Sequence, residues 1–401
     1  MDRWSPVPVA GRVRQAASRF PLMGEGMEGD AQRMPKRERR NPVSSGVRWL
    51  PLLAASLVVA LAVAVTWSVV SVRPARDPRP LAIPTADPTV VRAVAYVAHE
   101  PSGDVVYVRD PRSELPPREL LRLPRPFDVK ASGAAGPLGS HLAILSFTSA
   151  GRSRLHIVAL PSGDLVTIEG GFDLAAPVAW DWDESRLAVA SVESVRADGR
   201  RVVAVNEVRL GGELRTVAEF TDIFQAAPVG YSPDGSKLYV VVLDPTGSVL
   251  WSVANDGAAV PVARLSAGPT SAWRLSPDGT QLAFVEVTGA ETASYRGRLL
   301  TISSGAVADV PASGNQLGVA WSPRSLIPQF GGPGGTVWLS GTDPNSTYLI
   351  PAAWSPDGSA LLAEVVDAET GTVSLEVVWA EGRLPLSSSP ATPLGWVASV
   401  A

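Results

Sequence analysis

One short turn, repeated at long intervals, limits what this chain can become more than any other feature. Tyr231-Ser-Pro-Asp-Gly-Ser-Lys-Leu-Tyr-Val-Val returns as Leu275-Ser-Pro-Asp-Gly-Thr-Gln-Leu-Ala-Phe-Val and again as Trp354-Ser-Pro-Asp-Gly-Ser-Ala-Leu-Leu-Ala-Glu. Weaker copies are Gly136-Pro-Leu-Gly-Ser-His-Leu-Ala-Ile-Leu, Trp180-Asp-Trp-Asp-Glu-Ser-Arg-Leu-Ala-Val-Ala and Trp321-Ser-Pro-Arg-Ser. In such a unit Ser caps the backbone, Pro presets φ, Asp suits the third position and Gly relieves the exit. An apolar strand precedes the turn and an alternating strand is expected after it. The proline column falls at 137, 182 (a Trp there), 233, 277, 323 and 356, at spacings of 45, 51, 44, 46 and 33. A period of about 40–45 residues is that of one four-stranded propeller blade.

The ends of the repeat array explain each other. Residues 91–123 supply three strand-like runs, Val91–Ala98, Asp104–Arg109 and Arg118–Leu123, without an inner strand before them. The C-terminus supplies Pro393-Leu-Gly-Trp396, which matches the inner-strand starts Pro177-Val-Ala-Trp180, Pro228-Val-Gly-Tyr231 and Pro351-Ala-Ala-Trp354. The last strand is therefore expected to complete the first blade and close the ring, which removes two exposed sheet edges. The expected fold class is all-β: a seven-bladed β-propeller closed by the C-terminal strand and preceded by a single transmembrane helix. The count falls to six if residues 316–350, which carry Pro328 and a GGPGG run, do not form a blade.

Ahead of the repeats, Trp49 to Val72 is a 24-residue run without a charge. At about 1.5 Å per residue it reaches about 36 Å, enough for a bilayer core of about 30 Å. Trp49 and Trp67 lie toward its ends, where indoles favour the interface. A signal peptide is the rival reading, but its apolar core is typically about 7–15 residues, and this run is longer. Charge divides along the same line. Residues 1–48 carry a net of +5, residues 73–401 a net of −9, and the whole chain −4. More positive charge before the span than after it predicts a cytoplasmic N-terminus and an extracytoplasmic propeller on a bacterial cytoplasmic membrane. The expected organisation is a disordered basic tail over 1–46, a transmembrane helix over 47–72, a Pro-rich stalk over 73–89 and the propeller over 90–401. Met34 is an alternative start just ahead of the span. The acidic outer domain repels phosphate backbones, which argues against nucleic acid as a partner.

With the S-P-D-G turn and the packing Trp in view, the chain resembles the TolB-like propeller repeat family. The same repeat occurs in propellers of prolyl oligopeptidase and dipeptidyl peptidase IV relatives. The resemblance covers roughly residues 90–401. It implies an extracytoplasmic propeller that binds an envelope protein or peptide partner. TolB itself is soluble and carries an extra N-terminal α/β domain, so its role in an envelope complex is not implied.

The G-x-S-x-G elbow of α/β-hydrolases is absent, since Gly151-Arg-Ser153-Arg-Leu155 fails at its last position. There is no cysteine for a thiolate, a disulfide or a cysteine metal site. His99, His141 and His156 read as surface or half-buried strand residues. Asp181 and Asp183, and the repeated Asp234, Asp278 and Asp357, read as turn chemistry. No catalytic residue, metal or cofactor is expected.

Function in such a fold belongs to the loops joining strands two and three and to the interblade loops, because the strands are committed to the core. The longest expected loops are Glu193–Arg201, Thr288–Arg298 and Glu219–Ala227. From them Arg200, Arg201, Asp222, Phe224, Tyr295 and Arg296 are the candidate binding surface, mixing charge with aromatic groups as interface anchors do. The leading functional expectation is a membrane-anchored, non-enzymatic binding or scaffold propeller. A transmembrane sensor with a cytoplasmic regulator and a lyase or hydrolase are the alternatives.

Overall fold

A computed structural model describes residues 85–289, 292–323, 327–333, 335 and 347–399. The tail, the apolar run and most of the stalk lie outside the described residues. Among the described residues no helix is long and apolar enough to cross a membrane.

The repeat becomes sheets. The first blade holds β1 (Val91–Glu100), β2 (Gly103–Arg109) and β3 (Arg118–Leu123); the second holds β4 (Ser132–Ala135), β5 (His141–Phe147), β6 (Ser153–Ala159) and β7 (Leu165–Gly170). The third holds β8 (Ala179–Trp180), β9 (Arg186–Val195), β10 (Arg201–Arg209) and β11 (Leu214–Ile223). The fourth holds β12 (Gln225–Tyr231), β13 (Lys237–Asp244), β14 (Gly247–Ala254) and β15 (Ala259–Ser266), and the fifth β16 (Thr270–Leu275), β17 (Gln281–Thr288), β18 (Ser294–Thr301) and β19 (Ala306–Asp309). Two strands, β20 (Leu317–Trp321) and β21 (Pro328–Gly331), pair alone. The last blade holds β22 (Thr347–Trp354), β23 (Ala360–Asp367), β24 (Val373–Trp379) and β25 (Gly382–Pro385), and the chain ends in β26 (Ala391–Ala398).

Within each blade neighbouring strands are antiparallel, and β26 pairs with β1 to give the order β26-β1-β2-β3. The described residues thus form six four-stranded blades. In the place the repeat gives to a seventh blade stands the two-stranded sheet β20-β21, with β20 packed between β16 and β22. Outer strands there would draw on residues 334 and 336–346, which lie outside the described residues. Among the described residues the ring is six four-stranded blades plus this pair, where seven four-stranded blades were expected.

The core is a series of wedges between blades, not a single centre. Ala93, Ala95 and Val97 of β1 pack on Leu142 and Ile144 of the second blade, while Val94, Tyr96 and Ala98 pack on Leu362, Leu375 and Val377 of the last. A second strand is therefore buried on both faces. This corrects the expectation of alternation after the turn: Lys237–Asp244 reads KLYVVVLD with five consecutive buried residues, because each face meets a neighbouring blade. The outer strand of the second blade does alternate. Leu165–Gly170 is exposed at every second residue.

The turns behave as their chemistry requires. Ser232 Oγ donates to Asp234 Oδ1 at 2.6 Å and accepts the Lys237 N–H at 3.0 Å. The Gly235 N–H closes onto Ser232 O at 2.8 Å, with Gly235 at φ +65°. Ser276-Asp278 and Ser355-Asp357 repeat the Ser–Asp bond at 2.5 and 2.6 Å. In the third blade Glu184 stands in the glycine position and adopts φ +57°, a conformation that costs an L-residue free energy. Its carboxylate is buried and offsets that cost across the blade boundary. It accepts the Leu138 N–H at 2.5 Å and pairs with His141 Nδ1 at 2.8 Å.

Indole groups lace the ring together. Trp180 Nε1 donates to Ala134 O at 3.2 Å, Trp321 Nε1 to Arg274 O at 3.0 Å and Trp396 Nε1 to Ala353 O at 3.1 Å. Each bond runs from an inner strand to the inner strand of the blade before it. Trp396 makes it across the closure seam.

Candidate functional site

The alternation of strands divides the propeller into two faces. One carries the S-P-D-G turns and the turns between strands three and four. The other carries the connections between strands two and three and between blades, and is the loop face. All six candidate residues lie at the loop face, but fewer of them are loop residues than expected. Arg201 opens β10, Asp222 lies in β11, and Tyr295 and Arg296 lie in β18; only Arg200 and Phe224 fall between strands. The segment 219–227 is not a loop. β11 and β12 run almost directly into each other around Phe224, and the corner is made by Asp222 in the left-handed conformation at φ +58°. Val217, Phe220 and Ile223, buried along β11, hold the strand to its end.

Four of the candidates come together at the end of the third blade. Asp222 pairs with Arg196, and Arg200 Nη1 stands 3.9 Å from the same carboxylate. Arg200 also pairs with Asp198 at 2.6 Å. That bond holds the Asp198 carboxyl below the usual carboxylate range and raises the guanidinium in turn. Arg201 reaches inward to Asp173 at 3.3 Å. Phe224 is half-buried beside them, and its N–H donates to Leu243 O at 2.8 Å. Val195, 62% exposed, completes the surface.

Tyr295 and Arg296 stand apart, in the fifth blade. Tyr295 packs its ring toward Val319, Trp321 and Phe330, and its N–H donates to Asn315 at 3.0 Å; Arg296 is exposed. Sequence reasoning missed Arg196, Asp198, Val195 and Asp173, though the first three stood within Glu193–Arg201, a segment it singled out. It also missed Phe127, which is 73% exposed at φ +58° between the first and second blades and meets Phe147 edge-on at 6.2 Å. Backbone conformation is what presents that ring, and the residue types did not signal it.

The histidines need correcting: His99 and His156 are buried. His99 links Thr392 Oγ1 at 2.8 Å to Asp104 at 2.8 Å, a hydroxyl–imidazole–carboxylate line. Its remaining contacts are those of a clamp. Asp104 also accepts from Arg125 at 3.0 Å and from the Ala131 N–H at 2.6 Å. Burial would raise its pKa, but these bonds outweigh burial and hold it below the usual range. A carboxylate so satisfied, beside an imidazole side chain only 3% exposed, ties β26 to β1 and to the second blade. His156, between Ser146 and Thr167 at 2.9 and 3.0 Å, is pushed down to about 4, first by burial and then by the nearby Arg154 charge. Among the described residues no group of three or more His, Asp or Glu side chains is placed to hold a metal.

Neither a family model nor a curated protein matches the chain. Solved structures do. The propeller domain of the Trilobed protease from Pyrococcus furiosus is 12% identical at a TM-score of 0.50, covering 74% of this chain and 95% of that one. The Pyrococcus horikoshii acylaminoacyl peptidase is 13% identical at 0.50, covering 74% and 51%. TolB from Acinetobacter baumannii is 15% identical at 0.47, covering 76% and 66%. The chain thus spans just under two thirds of the TolB structure and about half of the peptidase. The Pyrococcus furiosus propeller is described as having an open velcro topology, whereas here β26 and β1 close the ring by strand pairing. At these identities the likeness is one of fold: the chain is a β-propeller, similar in fold to the propeller domains of the two Pyrococcus peptidases.

Proposed function

We propose that this protein is a non-enzymatic, membrane-anchored binding propeller that engages a protein or peptide partner of the bacterial envelope through its loop face. The observation that carries this is the surface at the end of the third blade. There Val195 and Phe224 sit among Arg196, Arg200, Asp198 and Asp222, with Asp222 held in a left-handed corner. Exposed ion pairs of this kind are worth only about 0–1 kcal/mol each, so a partner's charges can replace them at small cost while its apolar groups cover Val195 and Phe224. The opposite face is committed to tight turns. β1 begins on that turn face, where the Ser399 N–H bonds to Val90 O at 3.0 Å. The anchor is the uncharged run of residues 49–72.

Site-specific photocrosslinking tests the reading. A crosslinker placed at position 200 or 224 of the full-length protein in its native membrane should yield a discrete protein adduct. One at position 236, in a turn of the other face, should not. No adduct from either loop-face position, or an equal adduct from 236, would refute the assignment.

A further inference from the structure

On the turn face, a cavity of about 350 Å³ opens at the closure seam between the last blade and the first. Trp379, Trp396 and Val377 form its apolar wall, and Arg92, Arg112 and Glu381 its polar rim. Trp396 is fixed by its bond to Ala353 O at 3.1 Å. Trp379 packs its body against the seam and makes no hydrogen bond through Nε1 among the described residues.

The charges around the cavity do not cancel. Arg92 is taken by Asp110 at 3.1 Å, and Arg112 by Asp357 at 3.3 Å and Ser359 at 3.2 Å. Glu381 is exposed and has no ion pair or hydrogen bond among the described residues. What is left over is one carboxylate beside indole rings. An aromatic face attracts a cation through its quadrupole, and a carboxylate adds a charge-assisted hydrogen bond. The stem of a Lys or Arg side chain can lie on the apolar wall while its head meets the acid.

We propose that this seam cavity binds the cationic side chain, Lys or Arg, of a peptide segment, with the stem against Trp379 and Trp396 and the charged head on Glu381. The site is independent of the loop-face reading, because the two lie on opposite faces and share no residue.

The test is titration of the full-length protein with three capped tripeptides, acetyl-Gly-Lys-Gly-amide, acetyl-Gly-Arg-Gly-amide and acetyl-Gly-norleucine-Gly-amide, followed by saturation-transfer NMR. The Lys and Arg peptides should bind saturably, and the norleucine peptide at least tenfold more weakly. Glu381→Gln should weaken the Lys peptide at least tenfold, and Trp379→Leu should do so if it folds. Glu169→Gln, on the loop face of the second blade, should leave binding unchanged. Equal binding of the norleucine and Lys peptides would overturn the proposal, as would Lys binding that survives Glu381→Gln. Absence of saturable binding by either cationic peptide would also overturn it.

Discussion

Glu184 shows what a single residue can carry in this fold. Its position asks for glycine, and the chain supplies a glutamate whose carboxylate crosses to the neighbouring turn. Hydrogen bonds to a charged group contribute about 1.5–3 kcal/mol. Glu184→Ala keeps the left-handed backbone cost and loses the bonds. It should lower stability by about 2–4 kcal/mol, read as a fall in melting temperature, whereas Glu184→Gly relieves the backbone and should fall less. Equal losses in the two variants would show that backbone strain does not matter at this position. His156 makes a second residue-scale prediction. Its folded pKa of about 4 lies below its ordinary 6.5, so between those values the unfolded chain binds more protons. Its contribution is fully present above about pH 6.5 and is lost as pH falls toward 4. The size is on the order of 3 kcal/mol. His156→Gln should flatten the fall in melting temperature between pH 6.5 and 4.5; an unchanged slope would assign that fall to other groups.

Among the elements, β26 bears the most weight. It supplies the inner strand of the first blade, buries Trp396 and sends an indole bond to the last blade. Truncating a buried Trp to Ala costs about 3–5 kcal/mol, a large share of an ordinary stability of about 5–15 kcal/mol. Trp396→Ala should therefore melt far below the parent protein. Trp396→Phe, which removes the N–H and keeps most of the ring, should fall in between. Trp354 lies in the matching position but has an unpaired buried Nε1, so Trp354→Phe should cost less than Trp396→Phe. Removing residues 391–401 exposes β1 and empties the seam. Unchanged melting after that deletion would contradict closure by this strand. The element the sequence misjudged is the second strand, whose unbroken apolar run reflects two neighbouring blades that are not visible from within the repeat.

For the whole molecule, the anchored reading makes a topological prediction. A reporter active only outside the cytoplasm, fused after Ala401, should be active, while the same reporter fused ahead of residue 49 should be silent. A stable but inactive C-terminal fusion would reverse the orientation. The sequence by itself determined the repeat, the chemistry of its turns, the strand order within a blade and the return of the C-terminus to the first blade. These are local or periodic properties: Ser, Pro, Asp and Gly act within a few residues, and Pro393-Leu-Gly-Trp396 declares itself by matching its counterparts. It also placed Arg200, Arg201, Asp222 and Phe224 on one surface, because consecutive strands of a blade bring their ends together. Only the tertiary structure decided that Tyr295 and Arg296 stand apart from them and that β20 pairs with β21 between the fifth and last blades. The pairing of Glu184 with the preceding turn and the unpaired Glu381 at the seam were likewise decided there. Each of these depends on a neighbouring blade dozens to hundreds of residues away, and no local pattern encodes which side chain will meet which across that gap.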